Sequence, residues 1–363
     1  MNSTIRNLEI NILMIFIMFS SIIGIALNSY IATCYNDAWF APLIGMFIGI
    51  IPILINIYII NYKTNLDINE KNTLLFGNFG KIINILIALC ITFNAIVDYY
   101  NLTNFVSSEY LYNTPQVFIS LIFSIPILYL CIKDIRVICR VGNILFFMAI
   151  FVYLVSLFGL IFQVKLDNLM PILSKGAFPP IIGALKHISY SVLPTFVLTI
   201  IPKDYIRNNK YFNKKFIITY LFSSIMIIIV AFVVMCVFGI ELSLLYQYPI
   251  FNILKRISFI EIFTRVESLL AIEWIFYIFL SIVVHYYYLR KTIENTFNIK
   301  NKLFYIILIF AILYLSPKIF YNSTIAIHFT QNIYPIINGI FLFILPLIIA
   351  IKIKFTKKKN IIK

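Results

Sequence analysis

Charge is scarce in this sequence: Asp, Glu, Lys and Arg make up 12% of 363 residues, about half the share found in soluble proteins. A soluble globule is therefore excluded, because its surface needs far more charge. Histidine occurs three times and cysteine five times. No two cysteines stand in a CxxC pair, so neither a zinc site nor a disulfide framework is indicated. No His, Asp or Cys residues converge at catalytic spacing, so an intramembrane transferase is not expected, nor any cofactor. What is plentiful is apolar surface. Hydrophobic residues are 62% of the chain, which makes the bilayer the natural solvent. The net charge of +15, from 29 basic and 14 acidic residues, would suit nucleic acid only if gathered on a folded polar surface. Here it lies in short stretches between long uncharged runs, as in the cytoplasmic loops of a membrane protein.

Residues 10–35, 38–62, 110–132, 141–164 and 216–240 contain no Asp, Glu, Lys or Arg. Each is long enough to cross about 30 Å of hydrocarbon as a helix. Five weaker runs follow the same pattern: 82–100, with Asp98; 176–202, with Lys186 and His187; 269–289, with Glu273; 303–320; and 333–353. Ten transmembrane helices are predicted. The runs are continuously apolar rather than alternating, which excludes a β-barrel. The first run is too long for a signal peptide and no small-residue cleavage site follows it, so it reads as the first span. An even number of spans puts both termini on one side. With the termini cytoplasmic, the outer segments hold only Lys165, Lys175, Lys186, Lys255, Arg256, Arg265 and Lys318 of the 29 basic residues, as the positive-inside bias requires. The lysine-rich tail suits anionic membrane lipid.

The whole chain, 1–363, reads as a single transmembrane domain. Ten spans divide into two sets of five, about 9–164 and 176–354. Five is odd, so the second set enters the membrane inverted. Such inverted repeats place a ligand at the midplane, where the first helix of each repeat is interrupted. Ser20, Ser21 and Gly24 in the first span, followed by Asn28, match Ser189, Tyr190, Ser191, Pro194 and Thr195 in the sixth. Gly frees the backbone and Pro removes a donor. Residues 20–24 and 189–195 are expected to be locally non-helical and to face each other, with free N–H groups for a ligand carboxylate. Close helix packing through small residues is the competing explanation.

Several stretches have a familiar look. Asn36-Asp37-Ala38-Trp39 resembles the DAW signature of the spore germination permeases, the B subunits of nutrient germinant receptors. Ser108-Glu109 and Thr114-Pro115 resemble the family's segment before span 4. The run Ile135–Arg140 resembles a GIE-x-IAR loop, with Lys133 where glycine is expected. The run Leu169–Gly176 resembles LLPVLxKG, and Pro179-Pro180 follows. Tyr248-Pro249, Phe263–Leu269 and then Trp274 resemble the YP…FxERxE segment, with Thr264 in place of an acidic residue. The resemblance runs through nearly the whole chain in order. It implies membership of the amino acid–polyamine–organocation transporter superfamily, a LeuT-like five-plus-five fold, A and C partner subunits and a small germinant, an amino acid by class. It also implies residence in the spore inner membrane.

An ionisable residue inside a span is a functional candidate by default. Asp98 shares a helix face with Asn94, four residues earlier. It is placed either to meet a ligand ammonium or ion, or to sit solvated near the outer interface. Glu273 lies one turn before Tyr277 and must be protonated, paired or hydrated. Arg265 and Glu267 suggest an ion pair at the membrane edge. His285 reads as a packing residue, and His187 and His328 as outer-face residues. Asp37 suits an N-cap for the second span. The ligand-binding set is thus Ser20, Ser21, Gly24, Asn94, Asp98, Ser189, Tyr190, Ser191, Thr195 and Glu273, with no catalytic or metal-binding residue. Two functions follow from it: a ligand-sensing receptor subunit that shifts its conformational population on binding, and an amino acid transporter coupled to Na⁺ or H⁺. A pure scaffold is the third possibility.

Overall fold

The computed structural model describes residues 5–255, 266–320 and 323–361. Among these the chain is almost wholly helical, because every backbone polar group must be satisfied internally where water is absent. Among the described residues, nine helices are long and apolar enough to cross a membrane. They are segment 1 (Asn7–Asp37), 2 (Phe40–Ile60), 3 (Asn78–Glu109), 5 (Ile135–Gln163), 6 (Phe178–Ile200), 7 (Asn209–Leu245), 8 (Ala271–Phe297), 9 (Lys302–Ile319) and 10 (Thr324–Lys357). Segment 4, Gln116–Cys131, is apolar but shorter. Together they occupy the ten runs read from the sequence, and the chain is a multi-pass membrane protein. Segment 4 starts immediately after Pro115, and segment 6 carries prolines in its first turn, where a missing N–H costs nothing.

Segment 1 forms the centre. Its residues from Ile12 to Phe19 are all buried, and it packs on segments 8, 7, 5 and 6. Segment 8 packs on segment 3, and segment 2 on segment 6. Segments 1 and 6 run antiparallel, which both ends demonstrate. Ile5 and Arg6, just before segment 1, form a short parallel strand pair (β1) with Ile206 and Arg207 (β2), just after segment 6. At the other end, Asn36 donates from Nδ2 to the Met170 carbonyl at 2.8 Å. Both Asp37 carboxylate oxygens accept the Leu173 N–H at 3.0 Å.

That last contact corrects the reading of Asp37 as a helix cap. Segment 2 begins at Phe40 with no side-chain cap, and Asp37 instead clips the 1–2 connection to the 5–6 connection. A hydrogen bond to a charged group is worth about 1.5–3 kcal/mol. Asp37→Ala should therefore lower the thermal midpoint of the purified protein and its accumulation in membranes. A midpoint equal to wild type would show the clip to be dispensable.

Between segments 2 and 3 a short helix, Ile68–Phe76, is started by Asp67, whose side chain accepts the Glu70 N–H. Lys71 on this helix is buried. Its Nζ donates to the carbonyls of Ile59 (3.1 Å) and Ile60 (3.2 Å) in the last turn of segment 2, where carbonyls run short of intrahelical partners. Burial pushes its pKa down to about 8, against the pull of Asp67. Arg265 of the expected Arg265–Glu267 pair lies outside the described residues.

Candidate functional site

Segment 1 departs from the α-helix between Ser21 and Ala26. Gly24 has φ +90°, and the Ala26 N–H bonds back five residues to the Ser21 carbonyl at 2.9 Å. A Cβ at Gly24 would lie 2.7 Å from Asn101 Oδ1 and 2.7 Å from Tyr248 Cε1. Conformation and neighbours both demand glycine there. Segment 6 changes its winding at the corresponding depth. It is α-helical over Phe178–His187, a π-turn over Ile188–Val192 and a 3₁₀-helix over Leu193–Ile200. The two interruptions touch, and the Ser21 hydroxyl donates to the Tyr190 carbonyl at 3.1 Å.

The expected interruptions are thus present and facing. Segment 6, however, rewinds rather than unwinds. The Leu193 N–H is used within the turn, on the Ile188 carbonyl, as the Ala26 N–H is in segment 1. Free backbone N–H donors are not what these turns supply.

The polar core lies against the interruptions. Asn94 and Asp98 sit one turn apart on segment 3 and are both buried. Segment 3 continues as helix to Glu109, and Asp98 is buried within the helix bundle. Its carboxylate accepts the Ser281 hydroxyl of segment 8 at 3.0 Å; Ser20 lies beside it, with its hydroxyl donating to the Ile17 carbonyl at 3.0 Å. No described cation pairs with it. Ser281 in turn contacts His285, whose Nδ1 lies 2.6 Å from the Ser281 carbonyl. A carbonyl only accepts, so Nδ1 carries the hydrogen.

Asn94 Oδ1 accepts the Tyr334 hydroxyl at 2.5 Å and Asn338 Nδ2 at 3.1 Å, both from segment 10. Asn338 Nδ2 also donates to the Ser189 carbonyl at 3.0 Å, and the Ser189 hydroxyl donates to the Pro335 carbonyl. Tyr190 stacks on Tyr334 with ring centroids 5.7 Å apart, while its hydroxyl donates to the Thr330 carbonyl at 2.8 Å and reaches Ser29. Segments 1, 3, 6, 8 and 10 therefore share one hydrogen-bonded core.

Segment 10 and Ser281 are absent from the sequence-derived set. The signal was an amide, Asn338, inside an otherwise apolar run, since an unpaired amide is costly there. Three expected members behave differently. Thr195 turns back onto the Val192 carbonyl at 2.6 Å. Ser191 is buried with no hydrogen-bond partner for its hydroxyl within the described residues, and the Tyr30 hydroxyl meets His187 Nδ1 at 2.8 Å. Glu273 is buried against Tyr277, which packs against Phe16 and Phe19, two turns before the Ser281 that bonds Asp98. The next residue, Trp274, donates its indole N–H to the Ser20 carbonyl at 3.2 Å. His187 is fully buried, not an outer-face residue.

Beside Gly24 a cavity of about 300 Å³ is lined by Asn28, Ser243, Gln247 and Thr330 among others. Tyr248, held by Asn104 Nδ2 at 2.8 Å, packs with Phe105 and Trp274 next to the same break. Among the described residues, no group of three or more His, Cys, Asp or Glu is placed to hold a metal ion.

No curated protein sequence matches the chain. Among solved structures it is similar to the manganese transporter of Eremococcus coleocola, crystallised with an aromatic bis-isothiourea substituted compound. The TM-score is 0.49 and the identity 13%, over 92% of this chain and 78% of that one. A sequence model described as spore germination protein matches residues 4–325, nearly the full length, and the chain belongs to that spore permease family.

Proposed function

We propose that the chain is the integral membrane subunit of a nutrient germinant receptor, working with A and C subunits in the spore inner membrane. It binds a small germinant, an amino acid by class, and binding shifts the balance between two arrangements of its core. The observation that carries this reading is Asp98: a buried carboxylate with a hydroxyl donor, no described cation, and two interrupted helices beside it. An unpaired charge in such a place is expensive, and a ligand ammonium is its natural complement. The antiparallel course of segments 1 and 6 supports the inverted five-plus-five arrangement. The basic residues support cytoplasmic termini. A cysteine at position 360 should accordingly resist labelling from the outer face of intact membranes, and labelling there would reverse the orientation.

The test is germination of a deletion strain complemented with this chain, across a panel of amino acids. Response to one or a few of them supports the reading. A strain that answers none, while the protein accumulates, removes the amino acid assignment. Active transport coupled to Na⁺ or H⁺ is the second reading, favoured by the same carboxylate, which is placed to carry a proton. Uptake of labelled amino acid into vesicles, and a gene lying apart from A and C subunit genes, would favour it. Ser191→Ala should act mildly in either case. The Ser191 hydroxyl has no hydrogen-bond partner within the described residues, so its removal should raise the half-maximal germinant concentration by no more than roughly threefold to twelvefold, the worth of one neutral hydrogen bond of about 0.5–1.5 kcal/mol. A larger rise in dose–response curves would place Ser191 in direct contact with the ligand.

A further inference from the structure

Segments 2, 6 and 10 enclose a groove of about 400 Å³ on the lipid-facing side of the polar core. Its walls are apolar: Ile51 and Pro52 from segment 2, Leu193 from segment 6, Phe343 from segment 10. One end is polar, with Lys186, Gln331 and Asn332. The floor includes Ser189, in the π-turn of segment 6. Segment 10 is deformed along the groove by two π-turns, Phe329–Ile333 and Ile340–Ile344, a feature that recurs at functional sites. Between them stands Gly339, where an added Cβ would meet nothing within 4 Å. The glycine therefore leaves the groove open. Lys186 Nζ reaches up to the Thr33 hydroxyl at 2.9 Å, near the end of segment 1, and no described carboxylate pairs with it.

We propose that this groove binds one acyl chain of an anionic phospholipid, the chain lying along segment 10 and the phosphate drawn to Lys186. The volume fits a single chain or small molecule, in the range of about 300–1,000 Å³. A docked helix, about 10–12 Å across, needs a wider trough. Leaving the bilayer for an apolar groove brings the chain no hydrophobic gain, because lipid tails are as apolar as leucine. Selectivity thus rests on the ammonium, whose contribution corresponds to about fivefold enrichment of an anionic over a zwitterionic headgroup. The groove shares Ser189 with the polar core but opens on the other side of it, and lipid binding there does not depend on the germinant reading.

The full chain is reconstituted in nanodiscs of equal phosphatidylglycerol and phosphatidylcholine. Either lipid in turn carries a photoactivatable group in its acyl chain, and crosslinked peptides are mapped. Crosslinks should concentrate on residues 336–343 and 48–52, about fivefold more from phosphatidylglycerol. Gly339→Leu should remove them, since the helical backbone there accepts a side chain without strain and the leucine fills the groove. Lys186→Gln should keep the crosslinks and abolish the headgroup preference. Crosslinks spread evenly around the lipid-facing surface, or unchanged in Gly339→Leu, overturn the groove as the site. Equal crosslinking from both lipids in the wild type overturns the anionic assignment. A copurifying polypeptide that covers these residues and excludes the lipid probes overturns the proposal altogether.

Discussion

Asp98→Asn is expected to raise the half-maximal germinant concentration between about tenfold and more than a hundredfold, with the protein still present in the membrane. The substitution keeps the shape and an oxygen to accept the Ser281 hydroxyl, so the core should hold. What it removes is the negative charge, and a charge-assisted bond to a ligand ammonium is worth about 1.5–3 kcal/mol. Glu273→Gln is the control. Glu273 is also buried, but two turns before Ser281 on segment 8, against Tyr277, and its loss should move the dose–response curve much less. Curves normalised to protein level by immunoblot decide the matter. An unchanged midpoint for Asp98→Asn means that the carboxylate does not meet the ligand. Equal shifts for both variants mean a general loss of packing.

The second large effect is at Gly24. Even Gly24→Ala should abolish the response. Its Cβ would crowd Asn101 Oδ1 and Tyr248 Cε1, each 2.7 Å away. The φ of +90° adds a backbone cost of about 1–3 kcal/mol, and overpacking about as much again. Gly24→Leu is worse for the same reason. The side chain does not reach into ligand space, as the sequence alone suggested, but into the protein's own neighbours. A double variant separates these explanations. Adding Tyr248→Ala to Gly24→Ala removes one of the two close contacts and should restore part of the response. If the single variant germinates with an unchanged midpoint, the break in segment 1 takes no part in signalling.

The ten helices were legible because five coincide with runs free of charge and five with runs nearly so, and a bilayer tolerates little else. The interruptions were legible to within a few residues, since Gly24 and Pro194 mark backbone that an ordinary α-helix does not favour. Other features depend on partners far away in the chain. Asp37 follows a local capping pattern, yet its acceptor is used on Leu173, 136 residues on. Asp98 read as near an end because residues 101–109 are polar enough to pass for a loop; tertiary contacts hold them helical. Asn338 and Tyr334 stand in a run that hydropathy marks only as membrane-spanning. Their role emerges when Asn94 is found opposite, because neither amide tells from sequence which helix faces it.

The pairing of Ile5 and Arg6 with Ile206 and Arg207 also supplies a clock. A ladder of two residues lacks the cooperative stability of a larger sheet, so its amides exchange hydrogen through local opening rather than global unfolding. The ladder joins the beginning of segment 1 to the chain beyond segment 6. Any separation of the two interrupted helices at that end must break it first. The deuterium uptake of these few amides, followed with and without germinant, therefore counts how often that end parts, on a timescale that neither spore response nor crosslinking reaches.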